Sequence, residues 1–261
     1  MKSTLCSQLL LAAIQQGYNC CAYSGELPAY NFLDWICHQA TKREYIGYKV
    51  SQQSGKTFTF VGEDAMERIK KYLDGRLYLY DNSCISDEDL SKSVIKMFEV
   101  CARRYGCKLF LADNLMCLTV SPEEENRAQA KVCAKLKAFA NKYKVHVILA
   151  AHPRKGSKGE TFDTQDISGS SAIGNLADSV LNVEKNPNLI RITKNRDFGI
   201  KGSIFTSYDP CTRRIFETEV GDKTILDWDY TGVKLPEHPA YTLPEFEIYN
   251  GANASTTIQP F

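Results

Sequence analysis

Apolar positions along this chain switch repeatedly between helical and strand spacing. Leu5, Leu9, Ala12 and Ala13 recur about one helical turn apart and Gly17 follows as a stop, which predicts a helix over 3–16. A strand is expected at 19–23. Pro28 then opens a helix that runs to about residue 40, with proline in its first turn. A polar stretch leads to a strand at 58–61, a helix at 63–73 and a strand of alternating apolar residues at 76–80. Ser86 is a candidate N-cap for a helix over 87–105. A short apolar strand at 108–112 runs into Asp113. A long helix over 122–143 buries Val132, Leu136 and Phe139 on one stripe. The run at 145–151 is apolar but for His146 and reads as a strand covered on both faces.

The pattern changes after His152. Residues 156–169 are rich in Gly, Ser, Thr, Lys and Asp and read as a long exposed loop. Short segments at 179–184, 189–194 and 203–207 read as antiparallel strands joined by turns. Beyond Val220 little periodicity remains, which predicts an extended tail. Alternating strands and helices imply a mainly parallel sheet with helices on both faces, because each parallel crossover needs a helix. Ligands of such sheets bind outside the carboxyl ends of the strands. The polar groups to inspect are therefore Ser24-Gly25-Glu26, Asp81-Asn82, Asp113-Asn114 and His152-Pro153-Arg154.

Composition narrows the classes without choosing among them. At 261 residues, 43% hydrophobic and 24% charged, the chain is long and apolar enough for a large core, which excludes wholesale disorder. No apolar run approaches the roughly 20 residues of a membrane span. The net charge is +1, so a nucleic-acid partner must be met by local patches. Residues 220–261 hold six acids (Asp222, Asp227, Asp229, Glu237, Glu245, Glu247) against two bases (Lys223, Lys234), a net of −4 that leaves +5 for residues 1–219. The ten cysteines have no zinc-like spacing and lie mostly in helical or strand patterns. They read as reduced, buried thiols of a cytoplasmic protein. The apolar start imitates a leader, but Ser7 and Gln8 interrupt it and no small-x-small cleavage site follows.

Several strand-end residues carry candidate chemistry, each with a plainer alternative. Lys2-Ser3-Thr4 at the head of a helix is the second half of a phosphate-binding loop, G-x-x-x-x-G-K-[ST]. Lys2 would reach phosphates, Ser3 would bind Mg²⁺ and the helix dipole would assist; the alternative is an ordinary capped helix start. Asp113 after Leu109-Phe110-Leu111-Ala112 fits a Walker B acid that orients Mg²⁺, or a carboxylate capping a turn. Glu26 can polarise a water for attack on a γ-phosphate, or simply sit in a helix first turn. His152 is either a structural hydrogen-bond partner or a functional group at a strand end. Arg154, Lys155 and Lys158 can hold nucleic-acid phosphates, or form a solvated loop. Arg196, after Lys194 and Asn195, can act as an arginine finger on a neighbouring subunit's nucleotide, or occupy a surface turn.

Taken in order, Lys2-Ser3-Thr4, Ser24-Gly25-Glu26-Leu27-Pro28, Leu111-Ala112-Asp113-Asn114-Leu115-Met116, His152-Pro153-Arg154-Lys155, Ser168-Gly169-Ser170-Ser171-Ala172 and Lys194-Asn195-Arg196 resemble the successive motifs of hexameric, DnaB-like replicative DNA helicases, in the Twinkle and phage primase-helicase branch. The resemblance covers about residues 1–217. It implies an α/β, RecA-like P-loop NTPase core: a mainly parallel sheet flanked by helices, with C-terminal antiparallel strands. It further implies a homo-hexameric ring on single-stranded DNA, ATP and Mg²⁺ between subunits, 5′-to-3′ translocation, and a primase, fused or separate, as partner.

By motif, the resemblance makes Lys2, Ser3 and Thr4 the phosphate site, Ser3 and Asp113 the Mg²⁺ ligands, Glu26 the catalytic base and His152 the sensor coupling nucleotide state to DNA. Lys194 and Arg196 would act in trans. Arg154, Lys155, Lys158, Ser168, Gly169 and Ser170 would face DNA. The expected division is a motor over 1–219 and an acidic tail over 220–261. The glycine half of the phosphate loop would fall before Met1, so an N-terminally truncated motor is expected. The alternatives are a RecA-like binding module that does not hydrolyse ATP, or a RecA-type recombinase or regulator.

Overall fold

The computed structural model describes residues 1–82, 90–119, 125–152, 171–185, 188–223 and 228–236. A parallel sheet of four strands, β1 (Cys20–Ser24), β4 (Leu77–Leu79), β5 (Leu109–Asp113) and β6 (His146–Leu149), is ordered β4-β1-β5-β6. The central strands β1 and β5 are buried along their whole length because both faces are covered, while the edge strands β4 and β6 are only half-buried and β6 starts at an exposed His146. Alternate residues serve the two faces. Cys20, Ala22, Leu109 and Leu111 join the core under α1 (Lys2–Gln15), α2 (Ala29–Ala40) and α3 (Glu63–Leu73). Cys21, Tyr23, Phe110 and Ala112 join the core under α4 (Leu90–Arg104) and α5 (Glu125–Tyr143), where Phe98, Phe110 and Phe139 pack ring against ring. The nine described cysteines are free thiols, and burial pushes those of Cys6, Cys20 and Cys37 up to about 12.

An antiparallel sheet, ordered β10-β9-β8-β7, follows: β7 (Ser179–Lys185), β8 (Asn188–Asn195), β9 (Gly202–Asp209) and β10 (Arg214–Glu217). It is fastened to the first layer by polar pairs with long reach in sequence. Gln8 Nε2 donates to the Ile215 carbonyl at 2.6 Å, and the Ile215 N–H donates back to Gln8 Oε1 at 2.9 Å. Gln39 Nε2 donates to the Thr4 and Arg213 carbonyls. Buried Arg214 donates to the Gln39 and Thr41 carbonyls at 3.1 and 2.7 Å and pairs with Asp222 at 2.6 Å.

The architecture is the α/β arrangement expected from sequence, a parallel sheet flanked by helices and followed by antiparallel strands, with some local differences. The stretch expected to be merely polar before residue 58 contains a strand, β2 (Ile46–Val50), paired antiparallel with β3 (Thr57–Val61). Its sequence signal is weak because Gly47 interrupts it, and the Phe60 ring covers Gly47 where a side chain would stand. β10 and a short helix α6 (Ser171–Leu176) also go beyond the sequence expectation; each is too short for its period to show. Pro28 caps α2 just ahead of its first turn. The Ser86 cap lies outside the described residues. Part of the stretch beyond Val220 lies against the body: Trp228 is buried, donates Nε1–H to the Ala40 carbonyl at 2.9 Å, and stacks on Tyr230, which stacks on Tyr45. No helix among the described residues is long and apolar enough to cross a membrane.

Arg214→Leu is expected to destabilise the fold by about 3 kcal/mol, because it strands two buried carbonyls and the Asp222 carboxylate. Urea unfolding of parent and variant measures this. A difference within about 0.5 kcal/mol would show that the Arg214 bonds contribute nothing net.

Candidate functional site

Strand register converges the candidate groups. Ser24 of β1 stands opposite Asp113 of β5, and Ala112 opposite Leu149 of β6, so all three strands end at one level. The chain then continues into Gly25-Glu26, Asn114 and Ala150-Ala151-His152. Gly25 is required by close approach: its N–H donates to the Asp113 carbonyl at 2.5 Å, and a Cβ there would run into the Cys117 side chain and within 2.8 Å of the Tyr23 hydroxyl. The Asp113–Asn114 peptide is cis.

Four side chains form a polar chain across these ends. Lys2 Nζ, at the start of α1, donates to the Ala151 carbonyl at 2.9 Å and to His152 Nδ1 at 3.0 Å. An ammonium only donates, so we assign the ring proton to Nε2, which faces Glu26 Oε1 at 3.3 Å. Asn114 Nδ2 also donates to Glu26 Oε1 and lies 3.1 Å from His152 Nε2, while Asn114 Oδ1 accepts from the Cys117 N–H at 3.2 Å. Burial lowers the Lys2 pKa, against the opposing pull of Glu26 and Asp113.

The two carboxylates sit in different surroundings. The Glu26 side chain is 47% exposed and opens to solvent. Asp113 is 2% exposed, and burial raises its pKa despite a hydrogen bond from the Ser3 side chain. Its Oδ2 is buried without a hydrogen-bond partner. An orphaned carboxylate oxygen beside a hydroxyl fits a hard cation such as Mg²⁺, which takes oxygen ligands and keeps phosphate and water for its other positions. Thr4 is buried, and its carbonyl accepts from Ser7 and Gln39.

Not every expected residue joins this cluster. Lys194 Nζ donates to the Gly174 and Asn175 carbonyls at 2.8 and 3.3 Å, and Arg196 binds the Asp178 carboxylate at 3.1 Å and the Asn175 carbonyl at 3.0 Å. Both are held around α6 and β7 within their own chain. Arg154, Lys155, Lys158, Ser168, Gly169 and Ser170 lie outside the described residues. Asn114 joins the cluster although sequence reasoning gave its side chain no role. Its only sequence signal is its place directly after the strand-end Asp113.

No family profile matches the chain. It is 27% identical over 147 residues to a DNA helicase/primase of Enterobacteria phage T3, a match covering 49% of this chain and 25% of that protein. The chain thus spans about a quarter of the length of the curated relative it matches. Among solved structures, its fold is similar to that of a separately solved ATPase domain, with a TM-score of 0.60 and 13% identity over 81% of this chain and 80% of that one. A DnaB-like replicative helicase, solved for its interactions with primase, gives a TM-score of 0.58 at 14% identity over 77% of this chain and 52% of that one. A KaiC-like protein of Pyrococcus horikoshii gives 0.54 at 14% identity over 82% and 83%. The resemblance to DnaB-like helicases read from motif order is thus matched by both sequence and fold.

Asp113→Asn should raise thermal stability at neutral pH. A carboxyl whose pKa is raised on folding stabilises the fold below its unfolded pKa and loses that contribution as pH rises. The melting-temperature gap between variant and parent should therefore widen from about pH 4 to about pH 7. A gap that stays flat over that range would mean that Asp113 carries no desolvation penalty.

Proposed function

We propose that the chain is the motor of an ATP-dependent replicative DNA helicase, with residues 1–219 as the motor and 220–261 as an appended acidic segment. The carrying observation is the strand-end cluster: a buried Asp113 with one orphaned oxygen beside Ser3, and a solvent-facing Glu26 held by Asn114 and His152. The similarity to a phage helicase/primase supports the substrate class. In this reading ATP is hydrolysed between subunits of a homo-hexameric ring, which moves 5′ to 3′ along single-stranded DNA in the cytoplasm beside a primase. Lys2, Ser3 and Thr4 bind phosphate. Ser3 and Asp113 hold Mg²⁺, which neutralises phosphate charge when bound.

The chain's own groups then have distinct tasks. Glu26 accepts a proton from the attacking water, and Asn114 fixes the carboxylate's direction. His152 is the coupling element. Lys2 now donates to His152; when Lys2 turns to a phosphate, that bond is given up and the ring is free to reorient. His152 directly precedes the segment holding Arg154, Lys155, Lys158, Ser168, Gly169 and Ser170, which we assign to DNA contacts. Arg196, supplied by the next subunit with Lys194, stabilises charge developing on the γ-phosphate.

In a form carrying the whole phosphate loop, single-stranded DNA should stimulate ATP hydrolysis. Glu26→Gln should lower that rate by about 10²-fold or more, and Arg196→Ala by about 10³-fold. Mixing the two variants should restore some activity, because some interfaces then pair an intact Glu26 with an intact Arg196. If both variants assemble and no ratio rescues hydrolysis, Arg196 does not act in trans. Alanine at Arg154, Lys155 and Lys158 together should reduce the salt slope of DNA binding by roughly 0.7 per lost contact. An unchanged slope would remove this segment from the DNA path.

A further inference from the structure

Three of the buried thiols converge where α4 ends. The Cys101 carbonyl accepts from the Tyr105 and Cys107 N–H groups at 3.2 and 3.1 Å, and Gly106 takes a φ of 64°. This is a left-handed helix cap, which folds the residue after the glycine back onto the last turns and brings its side chain against theirs. Here the two residues so joined are cysteines. Cys21 of β1 reaches the same point from the sheet, and its thiol and that of Cys107 are both hydrogen-bonded to Cys101 Sγ. All three belong to the core under α4 and α5.

The pair lies just below the surface. Cys101 is 3% exposed and Cys107 1%, yet residues 103–106 between them and Lys108 beyond are exposed. The end of a helix opens more readily than the core beneath it, and a peroxide is hardly larger than water. Chemistry singles out Cys101 as the nucleophile. Hydrogen bonds from Cys107 and Cys21 lower its pKa, whereas the same bonds and burial raise those of the two donors. The negative end of the helix dipole opposes a thiolate there, but Arg103, Arg104 and Lys108 favour it, and residues 101–112 contain no acid.

Geometry singles out Cys107 as its partner. The N–H···O link holds the two Cα atoms no more than about 7 Å apart even with every bond in line, against roughly 4.4–6.8 Å for a disulfide. Cys107 lies in the connection to β5. Cys21 is instead paired on both sides, to β4 and β5, and cannot shift toward α4 without breaking the sheet. We propose that Cys101 and Cys107 form a peroxide-sensitive modification site that closes to a reversible disulfide across the α4 cap. The Cys101 thiolate attacks one oxygen of hydrogen peroxide, the O–O bond breaks, and hydroxide leaves and takes up the proton that Cys101 released. The Cys107 sulfur then attacks the resulting sulfenic acid at sulfur. The S–S bond forms, the S–O bond breaks, and the hydroxyl leaves with the Cys107 proton as water. Two thiols lose two electrons, and one peroxide becomes two waters.

The test treats the full chain with hydrogen peroxide, caps the remaining thiols and maps peptides without reductant. One intramolecular Cys101–Cys107 link is expected, with loss of two titratable thiols that dithiothreitol restores. A link through Cys21, earlier oxidation of Cys37 or Cys133, or no link would each overturn the site. A second measurement uses Cys107→Ala, in which the sulfenic acid has no resolving thiol and dimedone should label Cys101. A label on another cysteine, or none, would overturn Cys101 as the attacking sulfur. The first measurement needs no substitution. Neither needs nucleotide or DNA, so both stand apart from the proposed motor.

Discussion

The parallel pairing of β1 with β5 is the constraint on which the site depends. Side chains in a strand alternate faces, so one register step would exchange the two cores: Cys20 and Ala22 would leave the face under α1, and Cys21 and Tyr23 the face under α4. Apolar burial on both faces therefore holds the register, and the register sets Ser24 opposite Asp113. Everything chemical hangs from that alignment. Glu26 lies two residues past Ser24, Asn114 one past Asp113, and His152 three past the end of β6, and these offsets let the three side chains meet.

Two carboxylates at neighbouring strand ends sit in different surroundings. Asp113 is enclosed, partly bonded by Ser3 and left with one unmatched oxygen. That combination is costly for the fold and useful for a cation. Glu26 stands in contact with water and is directed by Asn114 and His152. Separating environments in this way is how a fold assigns different roles to chemically similar acids. Lys2 reaches the same network from α1 through its bond to His152.

The antiparallel sheet is joined to this core largely through side-chain amides and a guanidinium. Gln8, Gln39 and Arg214 bond to backbone groups across the junction, which fixes position but leaves the outer turn of the sheet free to face outward. Lys194 and Arg196 are held at the α6–β7 side of that sheet, apart from the strand-end cluster of their own chain. Trp228 and Tyr230 add an aromatic clasp over α2 and the β2–β3 hairpin, so part of the acidic segment is tied to the body.

The chain's hydrophobic spacing determined the layer architecture. The helices α1, α2 and α3, and strands β1 and β5, were legible because each buries a continuous stripe or run, which leaves its mark in the sequence. The polar residues at strand ends were legible as candidates for the same reason, since the end of an apolar run is visible. Short or interrupted elements were not: β2 is broken by Gly47, and β10 has four residues. The partnerships were also hidden. That Lys2 bonds His152, 150 residues away, or that Asn114 and His152 both donate to Glu26, follows from strand order and register. Those depend on non-local packing, which no local window of sequence contains. Tertiary structure likewise decided which acid was buried and which exposed, because burial belongs to the assembled layers and not to the residue.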